Sequence, residues 1–290
     1  MSLRYRSFAK VNLHLQVVGR RRDGYHELRT VFQTIDLHDL LTVSDGQEGV
    51  ELTVSGMELP ADSSNLAFRA AAGYLERWAP GQSVHLHLEK RVPMGGGLGG
   101  GSSNAATVLL ALRERFGVPA TIAELWPVAR ALGADVPYFL VGGTALGIGR
   151  GDEVIALPEL PEEELWVAVP PVSIATAAVF AVLPEIEPMP LAPEILALAA
   201  GVPSSLARLH GWNDLEPVVF STYPEVAEVV TALLRRGAPW VRLSGSGACL
   251  FTPVWGELAS AEIANELPPG TKLWQTRMLG RRAIAELRNV

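Results

Sequence analysis

From Ser7 to Val18 apolar and polar residues alternate, with Val11, Leu13, Leu15 and Val17 on one side and Lys10, Asn12, His14 and Gln16 on the other. A two-residue period is that of a strand with one buried face. Asp23-Gly24 then predicts a hairpin turn. Further strands are predicted over Tyr25–Ile35, over Leu40–Ser44 and in VELTVSG (50–56). Over Asn65–Trp78 the period becomes helical: Leu66, Ala70, Tyr74, Leu75 and Trp78 share a face, Ser63 or Ser64 is placed to cap it, and Pro80-Gly81 stops it. Alternation returns in SVHLHLEK (83–90), with Val84, Leu86 and Leu88 inward. A glycine-rich loop follows, then a helix from about Ser103 with Ala106, Leu109, Leu110 and Phe116 in phase and Gly117 as its C-cap. Another helix is predicted over Ala120–Leu132. VPYFLVGGTALGIGRGDEVIALP (136–158) reads as a β-hairpin around Gly149 and Gly151.

The pattern changes near Leu157. LPELPEEE (157–164) is rich in proline and acid and reads as a linker, dividing the chain into residues 1–157 and 158–290. Beyond it come a strand at Leu165–Val169, a short helix capped by Ser173, and one or two helices up to Arg208. A longer helix covers Pro224–Arg236, and strands at Trp240–Leu243 and Ala248–Thr252 flank SGSG (244–247). A helix at Glu257–Leu267 and a strand at Lys272–Met278 close the chain. Setting aside the extra helices, this is β-α-β-β-α-β, the split βαβ order. The expectation is an α+β protein of two lobes, because strands and helices do not alternate regularly enough for a doubly wound parallel sheet.

Composition narrows the function classes. Hydrophobic residues make up 48% of the 290 and charged residues 19%, which suits a packed globular chain. A net charge of −7 argues against nucleic-acid partners or an anionic membrane surface, which need a basic face. Cys249 stands alone, so no intramolecular disulfide can form. The N-terminus lacks the apolar core of a signal peptide, and no stretch approaches the eighteen or so apolar residues of a membrane span. These features lead us to expect a cytoplasmic protein. His85 and His87 fall on the outward face of a strand and do not suggest a metal site.

The candidate chemistry centres on PMGGGLGGGSSN: Pro93, Met94, Gly95, Gly96, Gly97, Leu98, Gly99, Gly100, Gly101, Ser102, Ser103 and Asn104. Gly95-x-Gly97-x-x-Gly100 satisfies a dinucleotide fingerprint formally, but no acidic residue follows at the distance a ribose ligand requires. The Walker A pattern also fails, because Ser102-Ser103 stands where Gly-Lys-Ser/Thr is required. What remains is a nest of backbone N–H groups at a helix N-terminus, suited to an anion, with Ser102, Ser103 and Asn104 as further donors. A plain flexible linker would not need an ordered strand and a helix abutting it.

This loop resembles the phosphate-binding motif of the GHMP kinase superfamily, which includes galactokinase, homoserine kinase and mevalonate kinase. AKVNLHLQVVGRRRDGYHEL (9–28) and LGADVPYFLVGGTALGIGRGDE (132–153) resemble, within it, the kinases that phosphorylate a cytidine-diphosphate-linked methylerythritol. RLSGSGACLF (242–251) is similar to the superfamily's third glycine-rich motif. The resemblance runs from about Lys10 to Leu250 and is poor over Pro158–Leu209. It implies the two-lobed GHMP fold, with an N-terminal lobe like ribosomal protein S5 domain 2 and a ferredoxin-like C-terminal lobe. It implies ATP as cofactor, with Mg2+ expected alongside, small-molecule partners, and a monomer or weak homodimer. By the same resemblance Asp135 is the base toward the substrate's 2-hydroxyl and Lys10 its ionic partner. Residues 93–104 hold the ATP phosphates, with Asn65 near the adenine and Lys90 or Arg91 flanking the nucleotide. Asn12 holds the reacting end of the substrate, Tyr25 and His26 its pyrimidine, and Thr176 and Phe180 the opposite wall. On the residues alone, Asp135 reads rather as a turn or capping aspartate, while Lys10 can be a solvated edge lysine and Tyr25 and His26 ordinary hairpin residues. A sister kinase of the homoserine or mevalonate type, a nicotinamide-dependent oxidoreductase and a non-catalytic nucleotide-binding module are the competing functions.

Overall fold

The computed structural model describes residues 2–118, 120–184, 190–200, 211–256 and 260–290. The N-terminal half opens on an antiparallel pair, β1 (Leu3–Arg20) and β2 (His26–Asp45). The two strands predicted over residues 25–44 are one. The polar segment Asp36–Asp39 suggested a break, but pairing continues from Ala9↔Ile35 to Phe8↔His38 across an irregularity that lets Asp36 and Leu37 bulge out. β3 (Val50–Ser55) runs parallel to β4 (Val84–Glu89), which pairs with the far end of β2.

α1 (Leu66–Trp78) is capped by Asn65, whose Oδ1 accepts from Ala67 N–H at 2.9 Å; the expected serine cap is displaced because Ser64 bonds to Asp62 instead. α2 (Gly100–Arg115) begins three residues earlier than predicted, because Gly99 adopts φ +69° and turns the chain directly into the helix. Gly117 (φ +59°) lies just past the Phe116 C-cap. α3 (Ile122–Leu132) carries a full capping box from Thr121 and Glu124. The next segment departs from the predicted hairpin. Val136–Val141 is a short helix, α4, with Pro137 in its first turn and Gly142 ending it. Its first five residues are all buried, and an apolar run of that kind does not distinguish helix from strand. Only β5 (Thr144–Gly149) and β6 (Glu153–Ala156) form the hairpin.

The remaining elements are β7 (Glu164–Val169), α5 (Thr176–Ala181), α6 (Pro193–Ala199), β8 (Trp212–Asn213), α7 (Glu216–Thr222), α8 (Pro224–Arg235), β9 (Arg242–Leu243), β10 (Leu250–Pro253), α9 (Ser260–Ala264), β11 (Lys272–Arg277) and α10 (Arg281–Leu287). α5 starts after Ala175 with no side-chain cap, so Ser173 does not cap it. Residues 201–208 and 257–259 of the predicted helices lie outside the described residues. The second sheet has the antiparallel order β11-β7-β10-β9, the split βαβ arrangement. The first has the order β3-β4-β2-β1-β8, with β5 joining β2 to β6. The fold is α+β.

β1 belongs to both halves. Ala9, Val11 and Leu13 pack with Leu165, Val167 and Phe251 of the second sheet, and β8 pairs with it at Leu15↔Asn213. This shared strand brings the glycine loop, the SGSG turn and residue 135 together.

Candidate active site

The density of glycine between Gly95 and Gly101 has a steric cause in addition to its dihedral one. Gly95, Gly97 and Gly99 adopt φ of +64°, +76° and +69°. A Cβ at Gly96 would collide with Cys249 Sγ, one at Gly97 with the carbonyl of Ser244, and one at Gly99 would lie 2.8 Å from the Phe139 ring. The loop is therefore threaded between β1 and the SGSG turn with no room for side chains. Hydrogen bonds hold it there: Lys10 N–H donates to Leu98 O at 3.0 Å, Cys249 N–H to Gly96 O at 3.1 Å, and Ser244 Oγ to Gly97 O at 2.9 Å. The thiol of Cys249 is fully buried, and burial pushes its pKa up, which leaves it a packing group. At Gly101 the space is open except for Leu66. α2 has no side-chain cap, so its first N–H groups face the cleft with no intrahelical acceptor.

Under the loop lies a buried polar cluster that sequence reasoning missed. Asp39 is fully buried; its Oδ1 accepts from Arg91 N–H at 2.7 Å and Val92 N–H at 2.8 Å. Its Oδ2 accepts from Asn104 Nδ2 at 2.9 Å and from Lys90 Nζ. Lys90 Nζ also donates to Asn104 Oδ1 at 3.2 Å, and Asn104 Nδ2 to Ser7 Oγ at 2.9 Å. Ser103 Oγ reaches Phe8 O at 2.6 Å. So the side chains of Ser103 and Asn104 turn inward and tie α2 to β1, while Lys90, which also lines the cleft, is held by Asp39. Asp39 joins the entry of the loop to the start of the helix that follows it. The only sequence signal was an aspartate directly before the apolar run Leu40–Leu41, and its polar neighbours Asp36 and His38 mask it.

The cleft over this loop encloses about 390 Å³ and is lined by Pro93–Ser102, Asn104, Lys90, Asn65 and Leu66 on one lobe and Ile174, Thr176 and Gly247 on the other. Asn65 Nδ2 also donates to Pro60 O at 2.8 Å, so its cap and its place in the cleft coexist.

A second cleft, of about 600 Å³, opens beside it and shares Gly97 and Thr176 as lining. At this junction Lys10 Nζ lies 3.4 Å from Asp135 Oδ2. Lys10 is buried, donates to Asn12 Oδ1 at 2.6 Å and lies 5.3 Å from the Phe32 centroid. Asn12 Nδ2 in turn donates to Thr30 Oγ1 at 2.7 Å. A buried ammonium needs such partners. Asp135 occupies the N-cap position of α4 but makes no capping bond, which leaves its carboxylate facing Lys10.

Farther out, the second cleft is lined by Tyr25, His26, Phe180, Arg20 and Arg150. His26 and Phe180 rings are in contact, 5.0 Å between centroids and tilted by 31°. Burial, assisted by the Arg20 charge, holds the His26 imidazole below its usual pKa. Thr176 Oγ1 is 2.8 Å from Ser246 Oγ, joining the start of α5 to the SGSG turn. Sequence reading singled out neither Arg20 nor Arg150.

Among the described residues no group of three His, Cys, Asp or Glu could hold a metal ion, and no helix is long and apolar enough to cross a membrane.

Comparison with known proteins bears on this geometry directly. Residues 65–143 match the GHMP kinases N terminal domain and residues 193–269 the GHMP kinases C terminal domain. The chain is a GHMP kinase, an ATP-dependent small-molecule kinase. Over 272 residues it is 41% identical to 4-diphosphocytidyl-2-C-methyl-D-erythritol kinase of Moorella thermoacetica, covering 90% of this chain and 92% of that one. A crystal structure of 4-(cytidine 5'-diphospho)-2C-methyl-D-erythritol kinase superposes with a TM-score of 0.79 at 36% identity, over 96% of this chain and 99% of that one. The chain belongs to the 4-diphosphocytidyl-2-C-methyl-D-erythritol kinase family. Homoserine kinase from Cytophaga hutchinsonii superposes with a TM-score of 0.69 over 95% of this chain and 94% of that one, but at 21% identity it shares the fold alone.

Proposed function

We propose that this protein transfers the γ-phosphoryl group of ATP to the 2-hydroxyl of 4-diphosphocytidyl-2-C-methyl-D-erythritol, giving the 2-phosphate and ADP, in the non-mevalonate route to isoprenoids. The observation that carries the reading is the junction of the two clefts at Gly97 and Thr176, with the Lys10–Asp135 pair beside it. Phosphoryl transfer asks for reactants placed in line and for the developing charge to be neutralised. The backbone N–H groups of the loop and of the first turn of α2 receive the ATP phosphates. Asn65 stands near the adenine, Lys90 flanks the nucleotide, and Asn12 holds the reacting end of the acceptor. Asp135 accepts the hydroxyl proton, and Lys10, paired with that carboxylate, polarises the hydroxyl. Tyr25 and Phe180 offer aromatic faces to the cytosine, and the neutral His26 hydrogen-bonds its edge. The half-buried Ser102 hydroxyl would hold a Mg2+ bound with ATP, alongside phosphate oxygens and water, and the ion would supply neutralisation of phosphate charge. The protein works in the cytoplasm, as a monomer or weak homodimer.

A panel of acceptors with ATP separates this from the sister activities. The cytidylated methylerythritol should be phosphorylated at the 2-position, seen by ³¹P NMR, and homoserine and mevalonate should not react. Turnover of homoserine or mevalonate at comparable kcat/KM would contradict the proposal.

A further inference from the structure

Tyr25 presents a physical difficulty. Its ring serves as a platform for the pyrimidine, yet it stands at a hairpin turn and is 57% exposed. An exposed side chain must lose rotamer freedom on binding unless something orders it beforehand. Arg150 meets that need: its guanidinium carbon lies 4.9 Å from the Tyr25 ring centroid. Arg150 is itself held. It sits in the turn between β5 and β6, flanked by Gly149 (φ +70°) and Gly151 (φ +88°), and Gly151 N–H closes the turn on Ile148 O at 3.0 Å. Its Nη2 donates to Asp152 Oδ2 at 3.2 Å, and the same oxygen accepts from Arg130 Nε at 2.9 Å. Asp152 is buried. Burial pushes its pKa upward, but the two arginines outweigh it and hold the carboxyl below the ordinary range. The anchor therefore stays charged at neutral pH.

We propose that Arg150, anchored through Asp152 to Arg130, is a positioning residue that fixes Tyr25 for stacking and so sets the preference for a pyrimidine nucleotide. The guanidinium covers one face of the phenol ring and leaves the other for the base. This rests on the cytidine reading of the second cleft. Arg150 also lines that cleft, and a direct contact with substrate phosphates is the alternative to be separated.

The test is a double-mutant cycle on cytidine 5′-monophosphate binding, followed by calorimetry in wild type, Arg150→Met, Tyr25→Ala and the double variant. Arg150→Met keeps an unbranched stem over the ring and removes the charge and the tie to Asp152. Its Kd should rise roughly three- to tenfold, the range of a cation–π contact, with the Kd for ATP unchanged. In the Tyr25→Ala background Arg150→Met should cost nothing more. Arg150→Lys, which retains a charge for Asp152 but not the flat stack, guards against misfolding and should show a similar loss. Unchanged binding in Arg150→Met beside a binding wild type overturns the positioning role. So does a further loss in the Tyr25→Ala background, or a loss larger for cytidine diphosphate than for cytidine. Failure of the wild type to bind cytidine nucleotides overturns the cytidine reading, and this inference with it.

Discussion

At the residue scale, Asp135 and Lys10 show how position and partner together define a role. Asp135 sits where an aspartate would ordinarily cap a helix, makes no such bond, and faces an ammonium 3.4 Å away instead. Asp135→Asn should lower kcat by about 10²- to 10⁴-fold, the usual worth of a general base, while the Kd for ATP, measured by titration, stays within about twofold of wild type. Tyr25→Ala should raise KM for the cytidylated substrate far more than KM for ATP, read from paired steady-state curves. His26 gives a pH signature. Because its folded pKa is depressed, it stays neutral until the pH falls below that of a free imidazole, near ~6.5. On the proposed role, its contribution to substrate binding is present above that range and lost as the pH falls through the lowered pKa. The ratio of wild type to His26→Gln in kcat/KM for the substrate should decline on acidification with a midpoint below ~6.5; a midpoint at or above that value would contradict the assignment.

At the element scale, the glycine loop works as a strap pressed between two lobes. Gly97→Ala places a Cβ against the Ser244 carbonyl in a left-handed conformation that alanine resists, so ATP binding should weaken at least tenfold and the melting temperature should fall. Asp39 anchors the same strap from beneath. Asp39→Asn sets an amide donor against the buried Lys90 ammonium and should cost about 3–5 kcal/mol in urea unfolding, with KM for ATP rising more than KM for the acceptor. The strap was legible in the sequence as a glycine loop opening a helix, because its glycines, serines and helix start are contiguous. Asp39 was not, because the donors that give it meaning come from Lys90, Arg91, Val92 and Asn104, more than fifty residues away. Val136–Val141 failed for a different reason: a short buried helix and a buried strand share the same unbroken apolar run. The single long β2 was hidden by a polar bulge that periodicity reads as a loop.

At the scale of the whole molecule, β1 unites the two sheets. Its alternation was readable directly, and with it the burial of one face. That both faces are buried is a tertiary fact: the glycine loop packs on Lys10 at Gly99, the SGSG turn packs on Asn12 at Gly245, and Asp135 faces the Lys10 ammonium. The split βαβ half was legible from element order, and the order β11-β7-β10-β9 agrees with it. The cleft over the glycine loop and the second cleft beside it are each assembled from both halves of the chain and touch at Gly97 and Thr176. That contact is the central claim, since it is what makes one site from two pockets. Coupled ADP release tests it most directly, measured for wild type and Asp135→Asn with and without 4-diphosphocytidyl-2-C-methyl-D-erythritol. The account predicts ADP release by the wild type only when that acceptor is present, and near-complete loss in Asp135→Asn despite retained ATP binding. Acceptor-independent ADP release, or near-normal turnover in Asp135→Asn, would contradict it.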